Sequence, residues 1–230
     1  MIKARELVCE HQGVMLKGKI AIPKGVGPHP TVMVMYNAMG MSDTIQERII
    51  RLADLGYLAV ATDMYGDGLH FNKSADVAPY ILQFNNDPEL LRSRILHWFE
   101  CIAQLPETDV ARMAAIGCCF GGQCVLELAR MGADVKQVVS FHGLLTTSAP
   151  AKPGSVKAKI AVFTGSKDPY VPREHVDELR HELSNAGVDW HITEYGNAFH
   201  AFTEPDAHLG DAPGRLFTVP THTKSTRILR

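Results

Sequence analysis

Cys119 lies in the run Gly117-Cys118-Cys119-Phe120-Gly121-Gly122, a Gly-x-Cys-x-Gly pattern between an apolar strand and a helical stretch. Small residues on both sides of the cysteine allow a strand to turn sharply into a helix, and the strained turn lifts the side chain above the sheet. The adjoining helix N-terminus favours a thiolate through its unpaired N–H groups and dipole. Cys119 is therefore the candidate nucleophile. Cys118 is expected to point into the sheet core and Cys124 to lie within the helix, both as inert packed thiols.

Two further residues extend this into a proton-transfer chain. Asp168 follows an apolar strand in Gly165-Ser166-Lys167-Asp168-Pro169, and His200 follows the last strand in Asn197-Ala198-Phe199-His200-Ala201-Phe202. A carboxylate at the first position can fix the tautomer of an imidazole at the second and steady its positive form. The order Cys, Asp, His is the hydrolase order for this kind of turn. The expected chemistry is attack of the Cys119 sulfur on an acyl carbonyl while His200 takes up and returns the proton. The oxyanion would be met by the backbone N–H groups of Phe120 and of Ala38, just after the run TVMVMY.

Such a constellation needs strands that end at one edge of a sheet. Residues 6–11 and 15–22 read as an antiparallel hairpin closed by a cluster of Pro and Gly. Buried-strand patterns follow at 31–36, 57–62, 113–117, 135–141, 160–164 and 189–195. Between them, helical spacing marks 44–55, a short helix at 76–84, 88–103 with Asp87 as N-cap and Pro88 at the first position, 121–130 and 173–186. This alternation predicts an α/β fold: a mostly parallel sheet covered on both faces, with its active groups at the carboxyl ends of the strands. Residues 146–153 form a loop, and neither a repeat nor a second domain is visible. The chain is expected to be one domain over 1–230, with 205–230 an irregular tail lacking a final covering helix.

The 230 residues are 46% hydrophobic and 21% charged with a net charge of -2, which suits a sizeable core and excludes fibrous, disordered and small disulfide-stapled classes. No basic tract offers a footprint for nucleic acid or an anionic membrane surface, so small molecules are the expected partners. The five cysteines include no Cys-x-x-Cys pair, and neither a signal peptide nor a membrane-spanning run is evident. A reducing cytoplasm is the expected compartment and thiols the expected state of the cysteines.

At these residues the chain resembles the dienelactone hydrolase family, the carboxymethylenebutenolidases, within the α/β-hydrolase fold. The resemblance covers about residues 6–204. It rests on the Gly117–Gly122 run, Asp168 in its Gly-x-x-Asp-Pro turn, His200 followed by Ala201 and Phe202, and the 31–62 segment ending in Asp63-Met64-Tyr65-Gly66. It implies a three-layer sandwich and a Cys119-His200-Asp168 triad acting on a small ester or enol lactone. It further implies no metal or organic cofactor and a soluble monomer or weak homodimer. Family members commonly carry a glutamate where this chain has Asn37, and the amide cannot accept the thiol proton as a carboxylate does. An arginine that binds the substrate carboxylate in the family corresponds to Glu204, which would repel an anionic substrate if it faced the pocket.

Further candidate pocket residues are Tyr65, beside His70 and Phe71 in the loop after a strand, and His142, Tyr170 and Phe202. His142 is weighed between substrate contact and a packed role. Asp63, Asp67 and His70 read as a solvated loop in preference to a metal cluster. The favoured activity is hydrolysis of a small ester, lactone or thioester through an acyl-thioester. The alternatives are an impaired small-molecule-binding protein that keeps the fold, suggested by Asn37 and the tail, and a cysteine redox protein. A dinucleotide enzyme lacks its glycine fingerprint.

Overall fold

The computed structural model describes residues 1–204, so the expectation of an irregular 205–230 tail lies outside the described residues. The N-terminal hairpin forms as β1 (Arg5–His11) and β2 (Val14–Ala21), paired antiparallel from Arg5–Ile20 to His11–Val14. β3 (His29–Met35) and β4 (Leu58–Thr62) are apolar on both faces because helices cover both. Between them runs α1 (Asp43–Asp54), whose first turn is capped by Ser42 accepting the Ile45 N–H at 3.3 Å. Ile45, Ile49 and Leu52, at helical spacing, bury its inner face.

α2 (Ser74–Asn86) is longer than the sequence suggests, because Pro79 sits inside it rather than in its first turn and leaves one helical N–H missing. α3 (Pro88–Ala103) begins where expected, with the Asp87 carboxylate accepting the Leu90 N–H at 2.9 Å. β5 (Thr108–Cys118) also starts earlier than its apolar run. Its opening is mixed, with Thr108 buried and Val110, Ala111 and Arg112 exposed, and its register against β3 shifts between Pro30 and Thr31. α4 (Phe120–Arg130), β6 (Gln137–Phe141), β7 (Lys159–Gly165), α5 (Arg173–Asn185) and β8 (Trp190–Tyr195) complete the order.

The eight strands form one sheet in the order β1-β2-β4-β3-β5-β6-β7-β8, parallel from β4 through β8 and antiparallel at β1–β2 and β2–β4. The carboxyl ends of β3, β5, β7 and β8 therefore share one edge, where Ala38, Cys119, Asp168 and His200 follow. A continuous apolar core built from β3, β4, α1, α3 and α4 fixes the sheet behind that edge. Among the described residues no helix is long and apolar enough to cross a membrane.

The stretch after β4 departs from a solvated loop. Asp63 is fully buried, and its carboxylate accepts the N–H groups of Lys17, Tyr65, Gly66 and Gly68 and the Tyr36 hydroxyl at 2.8–3.2 Å. A buried carboxylate is tolerated because donors surround it. Asp63 thus has a structural role, and it does not gather Asp67 and His70 around a shared cation.

Candidate active site

The turn from β5 into α4 places Cys119 at φ 54°, ψ -118°, a conformation that L-residues avoid. Neighbouring backbone holds it there. The Cys119 N–H donates to the Phe141 carbonyl at 3.0 Å, and its own carbonyl accepts from Gly122 at 2.9 Å. A Cβ on Gly117 would overlap the Gly121 carbonyl, and one on Gly121 would overlap the carbonyl of Met35 in β3. Only glycine permits this three-way approach of β3, β5 and α4.

Two loops bring the other residues to the sulfur. After β7 the Lys167 N–H donates to the Ala198 carbonyl at 3.0 Å, and the Ser166 hydroxyl donates to the Gly196 carbonyl at 2.8 Å. This ties the Asp168 turn to the loop after β8 that carries His200. His200 Nδ1 lies 2.8 Å from Asp168 Oδ2, and His200 Nε2 lies 3.1 Å from Cys119 Sγ. The second carboxylate oxygen of Asp168 accepts the Tyr170 N–H at 2.9 Å. The sequence-predicted Cys119, His200 and Asp168 are therefore one connected chain. Burial alone would favour the neutral imidazole, but hydrogen bonds and charge from Asp168 and Cys119 outweigh it and raise the His200 pKa to about 10.

Phe120 opens α4, where the first N–H groups lack helical acceptors, and the Ala38 N–H donates to no described residue. Among the described residues, then, neither N–H has an acceptor. The loop carrying Ala38 is pinned from two sides: the Asn37 amide oxygen accepts the Met39 N–H at 2.9 Å, and the Tyr65 hydroxyl donates to the Ala38 carbonyl at 2.9 Å. Tyr65 is buried and stacks on Phe120 with ring centroids 5.9 Å apart. It supports the site from behind instead of lining its mouth. The Asn37 amide is occupied by Met39 and, at 3.3 Å, by Glu204.

Beneath the triad lies a polar network that the sequence did not disclose. Arg48 on α1 donates to Cys118 Sγ and to Glu204 Oε1, each at 3.0 Å. Cys118 is buried as expected, but it meets Arg48 and Thr203 instead of an apolar core, and burial pushes its thiol up to about 12 against the pull of the guanidinium. Glu204 is held by Arg48 and Asn37, so its charge is compensated and the repulsion expected of it is muted. His142 is fully buried, shares a 2.9 Å hydrogen bond with Thr203, and packs edge-on against His200 at 5.1 Å. Burial, with the charges of His200 and Arg48, lowers its pKa to about 3.

Tyr170 is 51% exposed and sets its ring edge against His200 at 4.9 Å, while Phe202 packs on His142 and Tyr195. Cys124 is buried in the core, and all five cysteines are free. A cleft of about 320 Å³ opens alongside, between α3 and the 146–148 loop, with Arg92, Gln123 and Glu127 among its lining and none of the triad.

Comparison with known proteins agrees with this fold. The model of the dienelactone hydrolase family matches residues 16–219. A Yersinia pestis protein named provisionally as a carboxymethylenebutenolidase is 30% identical over 228 residues, covering 92% of this chain and 84% of its own. A crystal structure of a dienelactone hydrolase-like promiscuous phosphotriesterase from metagenomic libraries superposes with a TM-score of 0.88 at 34% identity, covering 95% of this chain and 91% of the other. A Klebsiella pneumoniae protein named provisionally as a dienelactone hydrolase gives a TM-score of 0.74 at 26% identity over 88% of both chains.

Proposed function

The chain belongs to the dienelactone hydrolase family, and from that premise we propose that it hydrolyses a small ester, lactone or thioester through a Cys119 acyl-thioester. The observation that carries this reading is the unbroken chain from Cys119 Sγ through His200 to Asp168, at 3.1 and 2.8 Å. The Cys119 sulfur, its proton on His200 Nε2, adds to the substrate carbonyl, and the oxyanion takes the N–H groups of Ala38 and Phe120. Collapse expels the alkoxide, which receives the proton from His200. Water then attacks the thioester, His200 takes a water proton, and the acid leaves as the thiol is restored. Asp168 holds Nδ1 protonated so that Nε2 faces the sulfur throughout.

The amide of Asn37 is engaged elsewhere, which supports assigning thiol activation to His200 alone. Glu204 takes up the Arg48 charge that a substrate carboxylate would otherwise meet, which supports neutral substrates over carboxylated ones. The test is a panel of short-chain p-nitrophenyl esters, thioesters, lactones and, given the 34% identical relative, a phosphotriester, followed by mass detection of an adduct on Cys119. Turnover should fall by about 10³-fold or more in Cys119→Ala and in His200→Ala. Tight ligand binding with no adduct and no turnover would instead favour a binding protein that keeps the fold.

A further inference from the structure

We propose that Cys9, His11, His97 and Cys101 form a zinc-class metal site that fastens the N-terminal edge strand to α3. Two elementary periodicities create it. Residues two apart on β1 share a face, so Cys9 and His11 project together, and residues four apart on α3 stack on one side, so His97 and Cys101 do the same. α3 packs against β1. The two sulfurs and an imidazole nitrogen of His97 lie within 4.8 Å of one another, and Cys101 Sγ is 3.4 Å from His97 Nε2. Zinc–sulfur and zinc–nitrogen bonds of about 2.3 and 2.0 Å set tetrahedral edges of roughly 3.3–3.8 Å, so Cys9, His97 and Cys101 need only a small contraction, while the His11 ring must swing closer to complete the four.

His11 supplies an independent observation. It is only 9% exposed, its Nδ1 has no hydrogen-bond partner, and its ring centroid is 5.1 Å from that of His97. Buried ring nitrogens are normally satisfied, and a metal would satisfy this one. Arg94 disfavours a cation nearby, and Asp63, whose charge reaches Cys9, favours one. Two thiolates and two neutral imidazoles match a divalent ion: Zn²⁺ binds as both thiols release their protons, with no change of oxidation state.

The other His/Cys/Glu group fails the same examination. Around Cys118, His142 and Glu204 the Arg48 guanidinium already stands 3.0 Å from the sulfur and from the carboxylate, where a metal would go. The β1–α3 group also lies apart from the chemistry, since β2, β4 and β3 intervene between β1 and β5 in the sheet. Its role is therefore structural, with four protein ligands and no open position.

The test uses Co²⁺ on the full reduced chain, stripped with chelator and kept in a phosphine reductant, in a Cys118→Ser, Cys119→Ala background that removes the site thiols. One Co²⁺ per chain should bind with thiolate charge-transfer and tetrahedral d–d absorption, and Zn²⁺ should displace it. Cys9→Ser and Cys101→Ser should each remove about half the charge-transfer intensity. His97→Ala and His11→Gln should weaken affinity at least about 10-fold. In the otherwise native chain, Zn²⁺ should raise the melting temperature, Cys101→Ser should abolish that rise, and ester turnover should be unchanged. Absence of the cobalt band from the fully reduced chain, or its survival in a Cys9→Ser, Cys101→Ser double variant, would overturn the site. So would a mapped Cys9–Cys101 disulfide in a chain that takes up no cobalt when reduced, which would make the pair a redox couple.

Discussion

Arg48 Nη2 stands 3.0 Å from Glu204 Oε1, and the same guanidinium reaches Cys118 Sγ at 3.0 Å through Nη1. A cation from α1 and an anion from the loop after His200 thus neutralise each other beside Cys118, the residue before Cys119. The pair is partly buried, so its charges are less screened than those of a surface bridge.

Removing the anion should therefore alter substrate choice. In Glu204→Gln the Arg48 charge becomes available to a substrate carboxylate, and KM for carboxylated lactones should fall roughly 5-fold, the equivalent of ~1 kcal/mol. KM for neutral esters should stay the same. Steady-state kinetics on matched neutral and anionic lactones check this, and equal shifts for both would contradict it.

The two half-reactions should show different pH limits. In the free enzyme His200 is raised to about 10 by Asp168 and Cys119 against burial, so the proton donor for acylation persists until pH approaches 10 and is lost above it. Once the sulfur is acylated, its hydrogen bond and charge no longer support the imidazolium, while burial still opposes it. Deacylation, which needs the neutral imidazole, should rise through a pKa below 10. Burst and steady-state rates of a p-nitrophenyl ester across pH separate the two, and coincident limbs would be the contrary result.

His142 should make the fold acid-sensitive. Its pKa is about 3 in the folded chain against an ordinary 6.5, so the unfolded chain binds the extra proton as pH falls. The associated stability is fully present above about 6.5 and is lost as pH falls toward 3, at up to ~1.4 kcal/mol per pH unit. His142→Gln, which can still bond Thr203, should flatten urea-midpoint profiles in that window by about one proton. An unchanged slope would assign the acid sensitivity to other groups.

Gly121→Ala should be costly at a distance from the sulfur. The new Cβ would overlap the Met35 carbonyl, so either β3 or α4 must move. A loss of roughly 1–3 kcal/mol is expected in chemical denaturation. A lower kcat should accompany it, because Ala38 lies three residues beyond Met35. Native stability with native kcat would show that the approach of the three elements is looser than the backbone indicates.

The three residues that the fold brings together, Cys119, His200 and Asp168, were legible in the sequence because each carries a local signature. The glycines around Cys119, the Asp168 turn and the strand preceding His200 announce themselves within a few positions, and parallel alternation brings them to one edge. Arg48 carried no such mark. It sits beside Ile49 on the flank of an amphipathic helix and looks like any solvated arginine until Glu204, far along the chain, arrives beside it. Asp63 was read as a loop residue for a related reason: its five donors are four backbone N–H groups and one hydroxyl, whose positions no spacing rule supplies. α2 runs past its expected ends with Pro79 inside it, and the exposed stretch Val110–Arg112 in β5 does not read as part of a buried strand.

The donors around Asp63 come from β2, from Tyr36 at the end of β3 and from the loop that presents Tyr65, whose hydroxyl in turn holds the Ala38 carbonyl. One carboxylate therefore acts as a keystone between the outer hairpin and the peptide plane expected to face the oxyanion. Loosening β2 from its neighbours would tilt that plane while the sheet as a whole still stood. Gentle heating should accordingly silence turnover a few degrees before circular dichroism registers melting, and simultaneous loss of both would show that the hairpin and the site come apart only together.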